Sequence, residues 1–345
     1  MISLQALHDA QLSEKSKKQY ITYLKQLVQL TGDDLATVIA NPADVVTKIN
    51  SFDVSLARKK AYINSVCALL KHDTSLGERF KRERELWQKA QKSVNSIHQQ
   101  RSEHMSMSRR EADNWVAWKD VLAAESVLAD EAYGSESHLL LAMYCLIEPA
   151  RADYGDVEIF AGADKPDKEA LIEAKQNFIR ISKKRNKSYV CLSTYKTSEI
   201  YGPHVRMLPD ALVHIINQSL MLHPRSHLFV TRNDEPFPNK DAFQFRVSST
   251  FKKVFGKNVS VSLLRHSYIT SLDFNELSPA QLSSISKNMM HSIAMQQQYR
   301  RKHGDDVFGH GPIVDRARQQ NIRQTDVPMP QPPATPSLSG RLLII

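Results

Sequence analysis

Residues 261–270 read VSLLRHSYIT, and residues 289–302 read MMHSIAMQQQYRRK. The first stretch opens a helix expected over 261–275, so Arg265 and His266 sit at neighbouring positions about 100° apart around its axis. The second sets His291 ahead of a polar helix that carries Tyr299. Two earlier stretches belong with them. Residues 148–159, EPARADYGDVEI, put Arg151 between a helix over 136–147, apolar through its centre (LLLAMYCLI), and the first of several strands. Residues 193–202, STYKTSEIYG, put Lys196 in a turn between two strands. The runs DVEIF, NFIRI, SYVCLSTY and HVRML fall between residues 156 and 208 and are separated by polar turns. That pattern predicts a small antiparallel sheet of three or four strands. Helices are expected to resume over 210–222, 240–254 and 279–290.

Towards the N-terminus the pattern is helical throughout. Ser13 is placed to cap a helix with Tyr20, Tyr23, Leu24, Leu27 and Val28 on one face and Thr31-Gly32 as its stop. Pro42 opens a second helix through Val45, Val46 and Ile49. A third runs from Ser55 to Lys71, and a fourth, heavily charged, from about Leu76 to Val94. Residues 96–110, SIHQQRSEHMSMSRR, are polar and without period, which reads as a linker. Trp115, Val116, Trp118, Val121 and Leu122 then start a further helix, with Trp115 and Trp118 directed to the core. From Gln324 the chain is Pro-rich and expected to be disordered.

Composition bounds the function without choosing it. The chain has 345 residues, enough for two domains with separate cores. A formal net charge of +9 favours a polyanionic partner. No apolar run is long enough to span a bilayer, and the first residues lack the pattern of a signal peptide. Cys67, Cys145 and Cys191 are scattered, without metal-ligand spacing, and read as free thiols in a reducing compartment.

Arginine, strand-turn lysine, LRHSYIT and then MxHSxxMxxxYR, in that order, resemble the catalytic set of the tyrosine recombinase (phage integrase) family. The resemblance covers residues 112–303 by motif and the N-terminal helices by architecture alone. The phrase PARADY (149–154) looks most like integrases of large eukaryotic DNA viruses and related mobile elements. The fold implied is mainly α with a small antiparallel β-sheet, an α+β arrangement. It comprises a helical core-binding domain over 1–95, a linker over 96–110, a catalytic domain over 111–323 and a Pro-rich tail over 324–345. The function implied is site-specific recombination or integration through a 3′-phosphotyrosyl intermediate, without cofactor, metal or ATP. Tyr299 is then the nucleophile, and Arg151 and Arg265 hold the scissile phosphate. Lys196 protonates the leaving 5′ oxygen, and His291 supports the phosphate. The partners implied are double-stranded DNA and further copies of the chain, as a tetramer on paired sites. Residues 307–320, VFGHGPIVDRARQQ, are the candidate segment for docking on a neighbouring subunit. Such a protein works where its target DNA lies, in cytoplasm or nucleus.

The chemistry is consistent with these roles. A phenol titrates near about 10, so it needs a cationic cluster or a base to attack at neutral pH. Phosphoryl transfer depends on positioning and on neutralising the equatorial oxygens, for which the arginine fork is suited. Each residue alone has an ordinary structural explanation, and the weight lies in their conjunction. One position departs from the family pattern: many members carry histidine three residues before the second arginine, where this chain has Ser262. Serine can donate a hydrogen bond but is a poor proton shuttle. His266 is expected to pack. Two alternatives therefore stay open, a type IB topoisomerase-like enzyme and a catalytically weakened DNA-binding protein. Lys15, Lys17 and Lys18, and then Arg58, Lys59 and Lys60, stand at helix N-termini, where they would meet DNA phosphates.

Overall fold

A computed structural model describes residues 2–161, 167–184 and 187–302. The docking segment and Pro-rich tail named above lie outside them. The N-terminal helices are Gln5–Asp9 (α1), Glu14–Thr31 (α2), Leu35–Ala40 (α3), Pro42–Ser51 (α4), Leu56–His72 (α5), Thr74–Arg79 (α6) and Lys81–Glu103 (α7). Then come Arg109–Asp113 (α8), Trp118–Glu131 (α9), Glu136–Cys145 (α10), strand Glu158–Ala161 (β1), Lys168–Glu173 (α11) and strands Phe178–Ile181 (β2) and Tyr189–Leu192 (β3). Ser198–Tyr201 (α12), strand His204–Met207 (β4), Asp210–Leu222 (α13), Lys240–Phe255 (α14), Val261–Ser271 (α15), Pro279–Asn288 (α16) and Ile293–Tyr299 (α17) complete the order. No helix of the described residues is long and apolar enough to cross a membrane.

Local chemistry sets the helix ends. Ser13 and Ser55 cap α2 and α5 by accepting N–H bonds from Ser16 and Arg58. Gly32, at φ 72°, ends α2 by donating its N–H to Val28 O. Leu24, Leu27, Val38, Ile39, Ile49, Tyr62, Val66, Leu69 and Trp87 form one buried cluster. Trp87 is fully buried, and its indole N–H donates to Ile39 O, which fixes α7 across the bundle.

The stretch read as a linker is largely helix. α7 runs through to Glu103 and closes in a Schellman arrangement: Ser106 N–H donates to Arg101 O and Met105 N–H to Ser102 O, with Met105 at φ 56°. Gln and Arg are good helix formers that left no apolar stripe, and the left-handed cap is methionine where glycine is usual. Neither feature could show as period or punctuation. Trp115 and Val116 precede α9 and do not lie on it, yet both are buried.

The second cluster is built around α10, whose residues from His138 to Tyr144 are all buried. That is the signature of a helix enclosed on every side, here by α9, α13 and α14. The sheet has the order β1-β2-β3-β4. β2–β3 and β3–β4 are antiparallel as expected, but β1 and β2 are parallel, with Glu158 opposite Phe178 and Ala161 opposite Ile181. The sheet is therefore mixed. A parallel pair needs a crossover, and the segment between these strands contains α11. A third cluster joins Ile269, Ile285 and Met289, with Tyr268 and Tyr299 packed against it.

Candidate active site

α15 brings Arg265 into the interior, where it is 1% exposed. Its Nη1 donates to Pro149 O at 2.6 Å and its Nη2 to Met289 O at 3.0 Å. Nη2 also lies 3.1 Å from His291 Nδ1. Guanidinium only donates, so Nδ1 is the acceptor, and the proton of a neutral His291 ring is on Nε2. That Nε2 is buried without a partner among the described residues, and so is Arg265 Nε. Both N–H groups are thus buried without a hydrogen-bond partner among the described residues, although the Tyr299 side chain interacts with the same guanidinium. Burial pushes His291 down to about 3, helped by Arg265 and Arg151, so the ring is neutral at pH 7. Burial likewise pulls Arg265 below its usual range, with Tyr299 opposing the shift.

The carbonyl before His291 ties two more residues to the same place. Met290 is a left-handed residue, at φ 56°, in the Schellman closure of α16: Met290 N–H donates to Lys287 O and His291 N–H to Ser286 O. A bulky residue is costly in that conformation, which persists only where the surroundings hold it. Here Met290 O receives Arg151 Nη1 at 3.0 Å and Thr197 Oγ1 at 3.3 Å. Thr197 is the neighbour of Lys196, so this one carbonyl links the Arg151 loop to the Lys196 turn. Lys196 lies between β3 and β4 as expected; it is exposed and without a partner among the described residues.

Tyr299 ends α17. Its ring lies 5.2 Å from Arg265 Cζ and 5.1 Å from the His291 ring. The His266 ring stands 4.6 Å from the Tyr299 ring, and His266 Nδ1 donates to Tyr299 O at 2.7 Å. With that proton on Nδ1, His266 Nε2 accepts from Arg301 Nη2 at 3.2 Å. Burial, reinforced by Arg301, pushes His266 down to about 4. His266 therefore packs and orients, as expected of it. Arg301 in turn bonds Glu111 Oε1 at 3.1 Å. Burial alone would raise the Glu111 carboxyl, but the Ser108 N–H and Arg301 outweigh it and hold it low. Nothing in the sequence marks Glu111 or Arg301 as functional. Ser108 and Glu111 have capping-box spacing, which marks a helix start and nothing more.

Arg151, Arg265, His291 and Tyr299 thus converge, with the Lys196 turn attached through Thr197. Ser262 does not join them: it is exposed on the first turn of α15 and makes no side-chain hydrogen bond among the described residues. Several of the basic groups of the N-terminal helices already have partners. Arg58 reaches Gln26 at 3.0 Å and Tyr23 packs edge-on to Tyr62, so the start of α5 lies against the second half of α2. Lys15–Lys18 are then roughly 8–16 Å away along α2. Lys15 pairs with Asp241 of α14, Lys17 with Glu14, and Lys59 donates to Asn50 O. Lys60 is half-buried, whereas Lys18 and Arg58 remain exposed.

No protein-family model matches the chain, and no curated protein matches it. Among solved structures it is similar to a crystal structure of XerA recombinase, at 13% identity over 88% of this chain and 92% of that one, with a TM-score of 0.37. It is also similar to a lambda integrase dimer bound to a COC′ core site, at 11% identity over 88% of this chain and 77% of that one, with a TM-score of 0.48. Both are tyrosine recombinases.

Proposed function

We propose that the protein is a site-specific DNA recombinase or integrase that cuts and rejoins strands through a 3′-phosphotyrosyl bond to Tyr299. The observation that carries this reading is the pair of orphaned donors, Arg265 Nε–H and His291 Nε2–H, buried beside a tyrosine. Buried N–H groups without acceptors are costly and rare. An anion with several acceptor oxygens would satisfy both, and a phosphodiester does so while offering phosphorus to the phenol. In the cleavage step, Tyr299 Oη gives up its proton to solvent and bonds to phosphorus as the P–O5′ bond breaks. The leaving 5′ oxygen takes a proton from Lys196, while the arginines balance the charge on the non-bridging oxygens. Rejoining runs the step backwards from a 5′ hydroxyl, so the bond energy is kept in the phosphotyrosine. Since the Tyr299 ring lies over Arg265, admitting the phosphate requires that ring to swing aside.

The helices of residues 1–95 would supply DNA affinity, chiefly through Lys18 and Arg58, with Lys15, Lys17, Lys59 and Lys60 exchanging their present partners for phosphates. The active assembly would be a tetramer on paired sites. A second reading, a DNA-binding protein with weakened catalysis, is favoured by one observation: Ser262 puts no proton shuttle at its position. The test is incubation with a nicked suicide substrate in excess EDTA, followed by denaturing electrophoresis. A covalent protein–DNA band is expected. Its absence, or its appearance only after a divalent ion is restored, rejects the phosphotyrosyl reading.

The role of Lys196 has its own expected outcome. Lys196→Ala should slow cleavage of ordinary DNA, because an alkoxide leaves poorly without a proton donor. Replacing the bridging 5′ oxygen by sulfur removes that need and should return most of the rate. The slope of log K against log salt should change by about one phosphate contact at most. Equal slowing on both substrates would reduce Lys196 to a backbone contact.

A further inference from the structure

α14 begins at Lys240, a residue that neither the motifs nor the proposed mechanism use. Asn239 caps the helix by accepting Ala242 N–H, which presents Lys240 on its first turn. Its Nζ donates to Asp153 Oδ1 at 2.9 Å and to Thr194 O at 3.2 Å. Asp153 is two residues from Arg151, and Thr194 is two residues from Lys196. One ammonium therefore bridges the two segments that carry the proposed phosphate clamp and proton donor.

The two ends of that bridge are anchored differently. Asp153 is 3% exposed, its N–H donates to Arg151 O, and the Tyr144 hydroxyl donates to the same carbonyl. Gly155 follows, where a Cβ would meet Phe243 Cβ of α14 at 2.6 Å, so this loop is pressed directly onto the helix. Thr194 belongs to the turn, where besides Lys240 it has Asn177 and, through its hydroxyl, Lys175 O at 2.6 Å. Asn177 Oδ1 accepts Thr194 N–H at 2.9 Å, and its Nδ2 donates to Thr194 O at 3.1 Å and to Asp156 Oδ1 at 2.9 Å. Beyond Thr194 the turn is held at Tyr195, which is buried and donates its hydroxyl to Gly202 O, and at the Thr197 hydroxyl, while the Lys196 side chain itself has no partner among the described residues. Lys240 and Asn177 are thus two struts from a fixed wall to the Thr194 end of the turn that carries Lys196.

We propose that Lys240 is a positioning residue that fixes the Lys196 ammonium relative to the Arg151 loop, an assignment that rests on the strand-transfer reading above. The side chain does not touch the reacting atoms; it acts through Lys196. Lys240→Met removes the strut and keeps most of the aliphatic stem. In single-turnover cleavage by the full chain it should slow ordinary DNA on the order of tenfold or more, as small misplacements of a reacting group do. On a substrate with sulfur at the bridging 5′ position, which needs no proton, Lys240→Met should run close to the wild-type rate. Added to Lys196→Ala, it should cost nothing further. A general loosening of the fold would give neither result.

Lys240→Met also strands the buried Asp153 carboxylate, which threatens folding. The double variant Asp153→Asn/Lys240→Met removes both charges and should give the same pattern. Equal slowing on the oxygen and sulfur substrates, or a loss that persists undiminished in the Lys196→Ala background, overturns the assignment. Failure of the underlying reading looks different, because the wild-type chain would then form no covalent adduct with either substrate. A wild-type adduct with unchanged rates in both Lys240 variants rejects this assignment alone.

Discussion

Tyr299→Phe is expected to abolish covalent attachment to DNA and to leave DNA binding nearly intact. The ring packs with Ile269, Ile285 and Met289 and stacks on His266, and phenylalanine keeps every one of those contacts. The hydroxyl also interacts with the Arg265 side chain, and that one contact is lost with it. The His266 contact is to the Tyr299 carbonyl, which substitution of the side chain does not touch. Only the oxygen proposed as nucleophile is lost, and losing a nucleophile costs several orders of magnitude in rate. The check is a suicide substrate on a denaturing gel, with affinity measured in parallel at fixed salt. A covalent band from the Phe variant would mean that another residue attacks. Tyr268 would be examined next, although its ring stands edge-on to Trp118 at 5.0 Å and burial raises its phenol.

The parts of the fold that could be read from the sequence are those with a local physical signature. Ser13, Gly32, Pro42 and Ser55 mark helix ends through capping, a left-handed residue or a fixed φ, and they stand where expected. The parts that could not be read depend on tertiary partners. The parallel β1–β2 pairing is invisible in two short strand-like runs, because direction is set by the crossover between them. The extension of α7 to Glu103 has no apolar stripe to announce it. The same division runs through the site. Arg265, His291 and Tyr299 lie within two local motifs, and the structure brings them together with Arg151. Their supports are distant in sequence and chemically ordinary: a methionine carbonyl at Met290, a threonine hydroxyl at Thr197, a lysine at Lys240 and a glutamate at Glu111. Such groups carry no motif, since almost any chain offers a carbonyl or an ammonium. Only the folded path of the chain decides which one is in reach.

Arg265→Lys is expected to lower cleavage by at least about a hundredfold, the scale for loss of one oxyanion donor, although the formal charge is unchanged. Arginine offers five N–H groups in a planar fork, and three of them are engaged by Pro149 O, Met289 O and His291 Nδ1. The Nε–H and one Nη1–H remain, the Nε–H buried without a partner among the described residues. A lysine nitrogen is a single point. It cannot serve the Pro149 and Met289 carbonyls and His291 together while also reaching a phosphate. One buried acceptor at least is left unpaired, at a cost of about 1–3 kcal/mol, so the melting temperature should fall with the rate. His291 also loses the donor that fixes its tautomer, and the Nε2–H is no longer assured. Arg151→Lys supplies the contrast. Arg151 is half-buried, and its side chain has one protein partner, Met290 O, among the described residues. Its lysine variant should lose cleavage on the same scale with a smaller fall in melting temperature. Rates within a few-fold of wild type in both variants would remove the arginines from the phosphate. A rate loss in Arg265→Lys alone, in step with its stability, would make that residue scaffold and leave the clamp to others.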